Sequence, residues 1–408
     1  MNLIRNVLKK RLHILTLIIL TVFLPEITNG QESTRELYFY GDSIKLNFDK
    51  CATVDYTDTL SVKSITQFYD NVVAANYDSL INDMRAYKLR HNPDDWVYYQ
   101  LIRKVAQYIS PKEDNYYRYT LYKWYLLKQC DYNTTLNIAG DKLLLYVQSD
   151  ENIYDIPYYL RYGKQYVCLN YHDYGKVDLK KTQFIEVTGD TTIAKTAFSY
   201  RLTQLPEFKD EDYKEKDLEF NYNDYNYTFK IKVNPEVKNI FKNYPVADYE
   251  LYFNAPLSKE TYNSLIPELK KNIKGMSVKN GVDYLMHFTR YAFLYETDVD
   301  NFGKEKRLSP EQTLLYDHSD CEDRAALFYC LVKEIYNLPM IVLEFPKHVT
   351  IAVKFNKPIG KPIMYNGNAY SVCEPTPQEQ DLQLGYISPE LSSVRYQVAY
   401  AYNPNSKK

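Results

Sequence analysis

The chain reads as an α+β protein of two units, each with helices packed on an antiparallel sheet, and a small all-β domain between them. Three observations carry this reading. The segment Cys321 to Tyr336 contains no Gly or Pro and sets apolar residues at Ala325, Leu327, Phe328, Leu331, Val332 and Ile335, the pattern of a largely buried helix, and short β-rich runs follow it. The chain resembles itself at a shift of 206 positions, helix on helix and strand on strand. Residues 178 to about 256 alternate apolar and polar side chains between Asp, Asn and Gly turns.

The first thirty residues read as an address for export. Lys9, Lys10 and Arg11 precede an apolar stretch from Leu12 to Leu24, and Thr28-Asn29-Gly30 offers small or polar residues for cleavage before Gln31. An uncleaved membrane anchor is the alternative. No Cys follows closely, which argues against a lipoprotein, and nothing later is long and apolar enough to span a bilayer. The expectation is an exported protein, periplasmic or secreted. The remaining length suits two or three domains, drawn at 31–177, 178–256 and 257–408.

In the first unit, Trp96 to Ile109 reads as an aromatic-rich amphipathic helix. Asp114-Asn115-Tyr116-Tyr117-Arg118-Tyr119-Thr120-Leu121 superposes on Asp320-Cys321-Glu322-Asp323-Arg324-Ala325-Ala326-Leu327, matching Asp, Arg and Leu. The same shift lays Lys142 to Gln148 on His348 to Lys354 without a gap. A two-residue adjustment sets Gly163 to Tyr166 on Gly367 to Tyr370. Residues 31–177 therefore read as a degenerate second copy, a binding or scaffolding module.

The middle segment offers four expected strands: Gln183 to Val187, Leu218 to Tyr222, Tyr227 to Val233 and Tyr249 to Phe253. Together they suggest a small antiparallel sandwich. Lys209 to Asp217 is read as a solvated loop.

In the last unit, Ser258-Lys259-Glu260 starts a helix, and Val282 to Tyr295 reads as another. About twenty residues from Asp298 to Tyr316 have no counterpart in the first unit and are expected to form a substrate-facing rim. Asp298 to Gly303 has the outline of a calcium loop, but Phe302 stands where an oxygen ligand is needed and Ser309 replaces the closing Glu. Ser319-Asp320-Cys321-Glu322 has capping-box form, with Ser319 as N-cap and Glu322 three residues on. Cys321 then lies in the first helical turn, where unpaired N–H groups and the macrodipole favour a thiolate. Asn337-Leu338-Pro339 ends the helix. Met340 to Leu343, His348 to Phe355 and, after an Asn366-Gly367 turn, Asn368 to Cys373 read as strands.

This order of elements brings three reactive residue types into play. Cys321 at a helix start, His348 at a strand start 27 positions later, and Glu374 at the end of the next strand can act as nucleophile, base and orienting acid. Each alone is an ordinary residue: a small buried thiol, an edge imidazole, a loop carboxylate. Their joint placement points to a triad. His318 is a rival base, but a base on a separate strand can face the thiol without bending the capping turn, so His318 is expected at the rim. Asp323 and Arg324 are expected to anchor structure rather than touch substrate. The oxyanion donors would be the Cys321 N–H and one upstream group, Tyr316 or Ser319.

The pattern resembles the transglutaminase-like branch of the papain-like cysteine enzymes. The resemblance rests on Cys321, Asp323, Ala325 and Leu327 at the helix start, His348 heading a strand, and Glu374-Pro375-Thr376. It covers about residues 258 to 395 and is closest to secreted bacterial members with a Ser-Asp-Cys-Glu-Asp-Arg run. Many relatives carry Asp where this chain has Glu374. The resemblance implies acyl transfer from an amide, by a peptidase or amidase acting on protein, peptide or cell-wall bonds. A protein-glutamine transglutaminase, or a binding or assembly protein that keeps the fold, are the alternatives. Glycan hydrolysis finds no separated pair of acids to support it.

No Cys-x-x-Cys, His-Glu-x-x-His, phosphate loop or dinucleotide fingerprint appears, so no cofactor and no metal are expected. The formal charge is −2 and the basic residues form no stripe, which argues against nucleic acid. The 44 Tyr residues suit amphipathic strands. Cys330 and Cys373 are placed where neither can bridge Cys321, while Cys51, Cys130 and Cys168 leave a pairing open.

Overall fold

The computed structural model describes residues 34–47, 53–175, 183–187, 196–297, 300 and 306–404. The export signal read at 1–30, Cys51, and most of the Asp298–Gly303 stretch lie outside the described residues.

A hairpin of β1 (Thr34–Phe39) and β2 (Asp42–Asn47) opens the described chain. Four helices follow: α1 (Val62–Ala74), α2 (Asp78–His91), α3 (Asp95–Ile109) and α4 (Tyr116–Gln129). Then come β3 (Thr134–Ala139), β4 (Lys142–Gln148), β5 (Tyr158–Arg161), β6 (Lys164–Cys168) and β7 (Phe184–Val187). These five strands make one antiparallel sheet in the order β5-β6-β4-β3-β7.

The next stretch holds a hairpin of β8 (Lys214–Tyr222) and β9 (Tyr225–Val233) and two short helices, α5 (Val237–Ile240) and α6 (Tyr249–Phe253). Helices α7 (Lys259–Asn272) and α8 (Val278–Tyr291) lead to β10 (Leu294–Tyr295), α9 (Pro310–Leu315) and β11 (His318–Ser319). The long helix α10 (Cys321–Tyr336) precedes β12 (Met340–Phe345), β13 (His348–Val353), β14 (Ile363–Tyr365), β15 (Asn368–Cys373) and β16 (Gln397–Tyr402). The second five-stranded sheet runs β14-β15-β13-β12-β16.

The fold is thus mixed α+β with antiparallel sheets. The two larger sheets share one connectivity: two consecutive hairpins interleaved, and a late strand returning to the far edge. β3 and β12 begin at Thr134 and Met340, and β4 and β13 at Lys142 and His348, so the 206-residue shift holds for both hairpin strands. β6 and β15 begin at Lys164 and Asn368, the two-residue adjustment expected.

The expected small β domain at 178–256 does not form as a unit of its own among the described residues. β7 pairs with the free edge of β3 and so belongs to the first sheet. Tyr249–Phe253 is helical, with Leu251, Tyr252 and Phe253 buried in succession, a run that a strand with one covered face cannot hide. Among the described residues of the segment only β8 and β9 pair with each other, and a lone hairpin is marginal in water. Their apolar face of Leu218, Phe220, Phe229 and Ile231 is covered by α7 and α8 of the last unit. Lys214 to Asp217, expected as loop, belongs to β8.

The helices lie on one face of each sheet, and a single buried cluster runs from Phe39 through Leu121 and Phe288 to Val353. Smaller clusters cover the outer faces, built on Leu144 and Tyr146 in the first sheet and on Ile341, Leu343 and Val372 in the second. β12 and β13 are therefore buried on both sides, which is why their sequences run apolar without alternating. No described helix is long and apolar enough to cross a membrane.

Candidate active site

α10 begins where expected, at Cys321, but its cap is shifted by one residue. Asp320, not Ser319, is the N-cap: its carboxylate accepts from Glu322 N at 3.1 Å and Asp323 N at 3.3 Å. Asp323, not Glu322, answers as the third residue, accepting from Asp320 N at 3.4 Å and, with its other oxygen, from Leu308 N at 2.8 Å. A carboxylate at the N-cap meets the helix dipole better than a hydroxyl, and Ser319 is drawn instead into a parallel bridge with Tyr295. At the other end, Asn337 takes the left-handed conformation with φ 50°, and Pro339 forbids a further turn.

Cys321 is half-buried at the first helical position. Its thiol is pushed well above the usual range by burial, then by the carboxylates of Glu322 and Asp320 and, further down, Glu374, while the Val349 N–H against the sulfur pulls the other way. This runs against the expectation of a helix-stabilised thiolate: desolvation and the local acids outweigh the macrodipole and favour the thiol form. Asp320, Cys321 and Glu322 bring ligand atoms within 4.8 Å of one another, a consequence of the capped turn in which Asp320 is already committed.

His348 opens β13, and its Nε2 lies 2.8 Å from Glu374 Oε2. The register explains the meeting. Ile351 pairs with Cys373, so the residue after β15 returns alongside the start of β13. The hairpin joining β14 to β15 turns on Asn366 and Gly367, with φ 45° and 72°, as the Asn-Gly pair predicts. Glu374 is buried, and its other oxygen accepts from Thr376 N at 2.9 Å. With Nε2 engaged by Glu374, Nδ1 is the other nitrogen of the ring and makes no hydrogen bond among the described residues. The sulfur is beside the N–H of Val349, the residue after His348, which brings thiol, imidazole and carboxylate into one neighbourhood, although no hydrogen bond joins the thiol to the His348 ring among the described residues.

Two buried arginines hold this neighbourhood. Arg324 donates to the carbonyls of Ser319 (3.4 Å), Thr289 (3.2 Å), Arg290 (2.6 Å) and Phe293 (2.9 Å), tying the turn before Cys321 to the end of α8. Arg290 donates to the Glu374 carbonyl at 3.2 Å from Nε and through a second nitrogen, and pairs with Asp381. The reading of Asp323 and Arg324 as anchors therefore matches their contacts. Arg290 was not anticipated: an arginine on an apolar helix face carries no signal until its carbonyl partners, more than eighty residues away, are placed.

The upstream candidates fare differently. Tyr316 ends α9 with its ring 4.4 Å from Lys238 Nζ and 5.2 Å from Lys306 Nζ. His318 sits half-exposed with Nδ1 3.5 Å from Glu296, a rim position as expected. Ser319 is buried, and its Oγ has no hydrogen-bond partner among the described residues. The phenol coupled to the thiol is that of Tyr295, whose pKa is raised by burial first and then by Cys321 and Asp320. The Val282–Tyr295 pattern predicts a helix through Tyr295; α8 stops instead at Tyr291, and the extended β10 bridges Tyr295 to Ser319 beside the α10 cap. The Cys321 N–H has no hydrogen-bond partner among the described residues, as an oxyanion donor requires.

In the first unit, the corresponding residues are structural. Asn115 caps α4 by accepting from Arg118 N at 2.9 Å. Asn170 accepts from Leu145 N at 2.8 Å and donates to Leu143 O and to the Tyr116 hydroxyl. Lys142 pairs with Asp141 at 2.8 Å. No thiol–imidazole pair arises from these three. Cys130, Cys168, Cys321, Cys330 and Cys373 are all free thiols, so a Cys130–Cys168 bridge is not made. No family model, curated protein or solved structure matches the chain.

Proposed function

We propose that the chain is an exported, cysteine-dependent acyl-transfer enzyme, most simply a peptidase or amidase of transglutaminase-like fold, and that the first unit, extended beyond residue 177 to include β7, is a duplicated copy of that fold without the chemistry. The observation that carries the reading is the largely shielded His348–Glu374 hydrogen bond beside a thiol at a helix start. The shared connectivity of the two sheets supports the duplication.

The geometry supports the following scheme. His348 Nδ1 takes the Cys321 proton as the sulfur attacks an amide carbonyl carbon, and Glu374 stabilises the imidazolium through Nε2. The oxyanion is received by the Cys321 N–H and the Tyr295 hydroxyl. The imidazolium then protonates the leaving amine, and water or an amine, activated by the same base, releases the acyl group. Because the resting thiol is held protonated, attack is coupled to proton transfer and does not start from a standing ion pair. Substrate would be protein, peptide or cell-wall amides, and neither nucleic acid nor cofactor enters the scheme.

The raised thiol also favours a second reading, a binding or assembly protein with an idle cysteine. A peptidyl thiol-reactive probe separates the two. The enzyme labels at Cys321 near neutral pH and loses labelling in His348→Ala; equal labelling of both proteins supports the idle thiol. Hydrolysed and amine-coupled products, resolved by mass spectrometry with and without added amine, distinguish peptidase from transglutaminase.

A further inference from the structure

The first unit holds a cluster of cationic groups where the last unit holds its thiol, between the start of α4 and the end of β6. Asp173, largely buried in the turn after β6, is its one carboxylate among the described residues. Lys112 Nζ lies 2.5 Å from Asp173 Oδ1, and His172 Nε2 lies 3.3 Å from the same oxygen. The Tyr116 hydroxyl donates to the other oxygen at 2.9 Å. Arg103, from α3, lies 5.9 Å from the Tyr99 ring centre, bonds the Tyr119 hydroxyl, and faces Asp173. Lys123, from the second turn of α4, is 1 % exposed, with its ammonium 4.5 Å from the Tyr119 ring centre; it faces Asp173, Arg103 and Lys112.

Three cationic side chains and an imidazole thus converge on a single carboxylate that Lys112, His172 and Tyr116 already occupy. Charge buried without a counterion is costly, and the usual remedies are a bound anion or loss of a proton. A second observation points to a ligand. The Tyr99 hydroxyl, on a residue 1 % exposed and coupled to Arg103, Tyr119 and Asp173, has no hydrogen-bond partner among the described residues. Arg103 also donates to Gln100 Oε1 at 2.9 Å, but that amide brings no charge, and an unmet hydroxyl beside cations that outnumber their carboxylate is what a bound oxyanion would complete.

We propose that Arg103, Lys123 and the Tyr99 hydroxyl form a binding site for an anionic oxygen group, a phosphate or a carboxylate, in the first unit. The site is independent of the acyl-transfer reading and gives the first unit, which has Asn115, Lys142 and Asn170 at the Cys321, His348 and Glu374 positions, a ligand of its own. Burial depresses the protonated form of Lys123 to a pKa of about 7 and of His172 to about 4, so a ligand anion would recharge the lysine on binding.

The test uses the full chain at constant ionic strength set with chloride, titrating inorganic phosphate in one arm and acetate in the other. Thermal shift and calorimetry provide the readouts. Saturable binding of phosphate alone assigns a phosphoryl ligand, and of acetate alone a carboxylate. Affinity should fall at least tenfold in Arg103→Met and in Lys123→Met, each first checked for native circular dichroism, and stay unchanged in Lys45→Met on the exposed opening hairpin. Should one variant fail to fold, the other decides. The proposal is overturned if neither anion binds saturably, or if a folded variant binds as tightly as the wild type.

Discussion

Replacing Glu374 with Gln removes a charge from the candidate site while keeping its shape. Glu374 Oε2 lies 2.8 Å from His348 Nε2, and both side chains are largely shielded, at 2 % and 12 % exposed, so solvent screening is slight. A hydrogen bond to a charged partner contributes about 1.5–3 kcal/mol against about 1 for a neutral one. In the proposed scheme the imidazolium formed when His348 takes the thiol proton therefore loses roughly 1–2 kcal/mol, a ~5- to 30-fold smaller population of the reactive ion pair. A weaker effect opposes it, because the same carboxylate also raises the Cys321 pKa directly, as the smallest of its causes. The bond at contact distance outweighs the more distant repulsion near neutrality. At high pH, where solvent deprotonates the thiol without His348, only the repulsion remains. Alkylation of the Cys321 peptide by iodoacetamide, followed by mass spectrometry from pH 6 to 10, should be slower in Glu374→Gln at pH 7, with the two proteins converging or crossing towards pH 10. A rate unchanged or increased at pH 7 would refute the triad reasoning.

Three further outcomes are expected. Arg324→Met strands four carbonyls, all on buried residues, and should lower stability by about 3–6 kcal/mol in urea unfolding; a loss under about 1 kcal/mol would show that Arg324 does not anchor the Cys321 turn. Tyr295→Phe should weaken binding of a peptide aldehyde, which needs an oxyanion donor, by about 10- to 100-fold while leaving iodoacetamide alkylation unchanged; parallel losses in both would deny the hydroxyl that role. Burial holds Lys123 at a pKa of about 7 against an ordinary 10.5. Between those values the unfolded chain binds more protons than the folded one, so the penalty is fully present below pH 7 and is relieved as pH rises, by at most roughly 5 kcal/mol. In phosphate-free buffer, the gain in stability from pH 6.5 to 9.5 should be smaller in Lys123→Met than in wild type, and equal gains would contradict the burial.

Much of the last unit was legible locally. A helix without Gly or Pro, ended by Asn337 and Pro339, and an Asn-Gly hairpin need only neighbouring residues, and the structure has α10 and the β14–β15 turn where the pattern puts them. The self-similarity was legible too, because a shift that preserves strand starts leaves the same number of residues between them. The middle segment was not. Alternation marks Phe184–Val187 as a strand but does not name its partner, and only the open edge of β3 made it part of the first sheet. Tyr249–Phe253 alternates on paper yet coils, because it packs against α10 and β16 and must bury adjacent side chains. The cap moved from Ser319 to Asp320 once Tyr295 claimed Ser319 as a bridge partner.

Sequence alone determined which residues could react and on which elements they stand, since helix starts, strand starts and turns are short-range matters. Tertiary structure decided their electrostatic state and their support. Burial and the ring of Asp320, Glu322 and Glu374 keep the Cys321 sulfur protonated, Glu374 takes one nitrogen of His348, and Arg290 and Arg324 pin the backbone around both. Desolvation and Coulomb forces depend on distances through space, and those exist only after segments eighty residues apart have packed together.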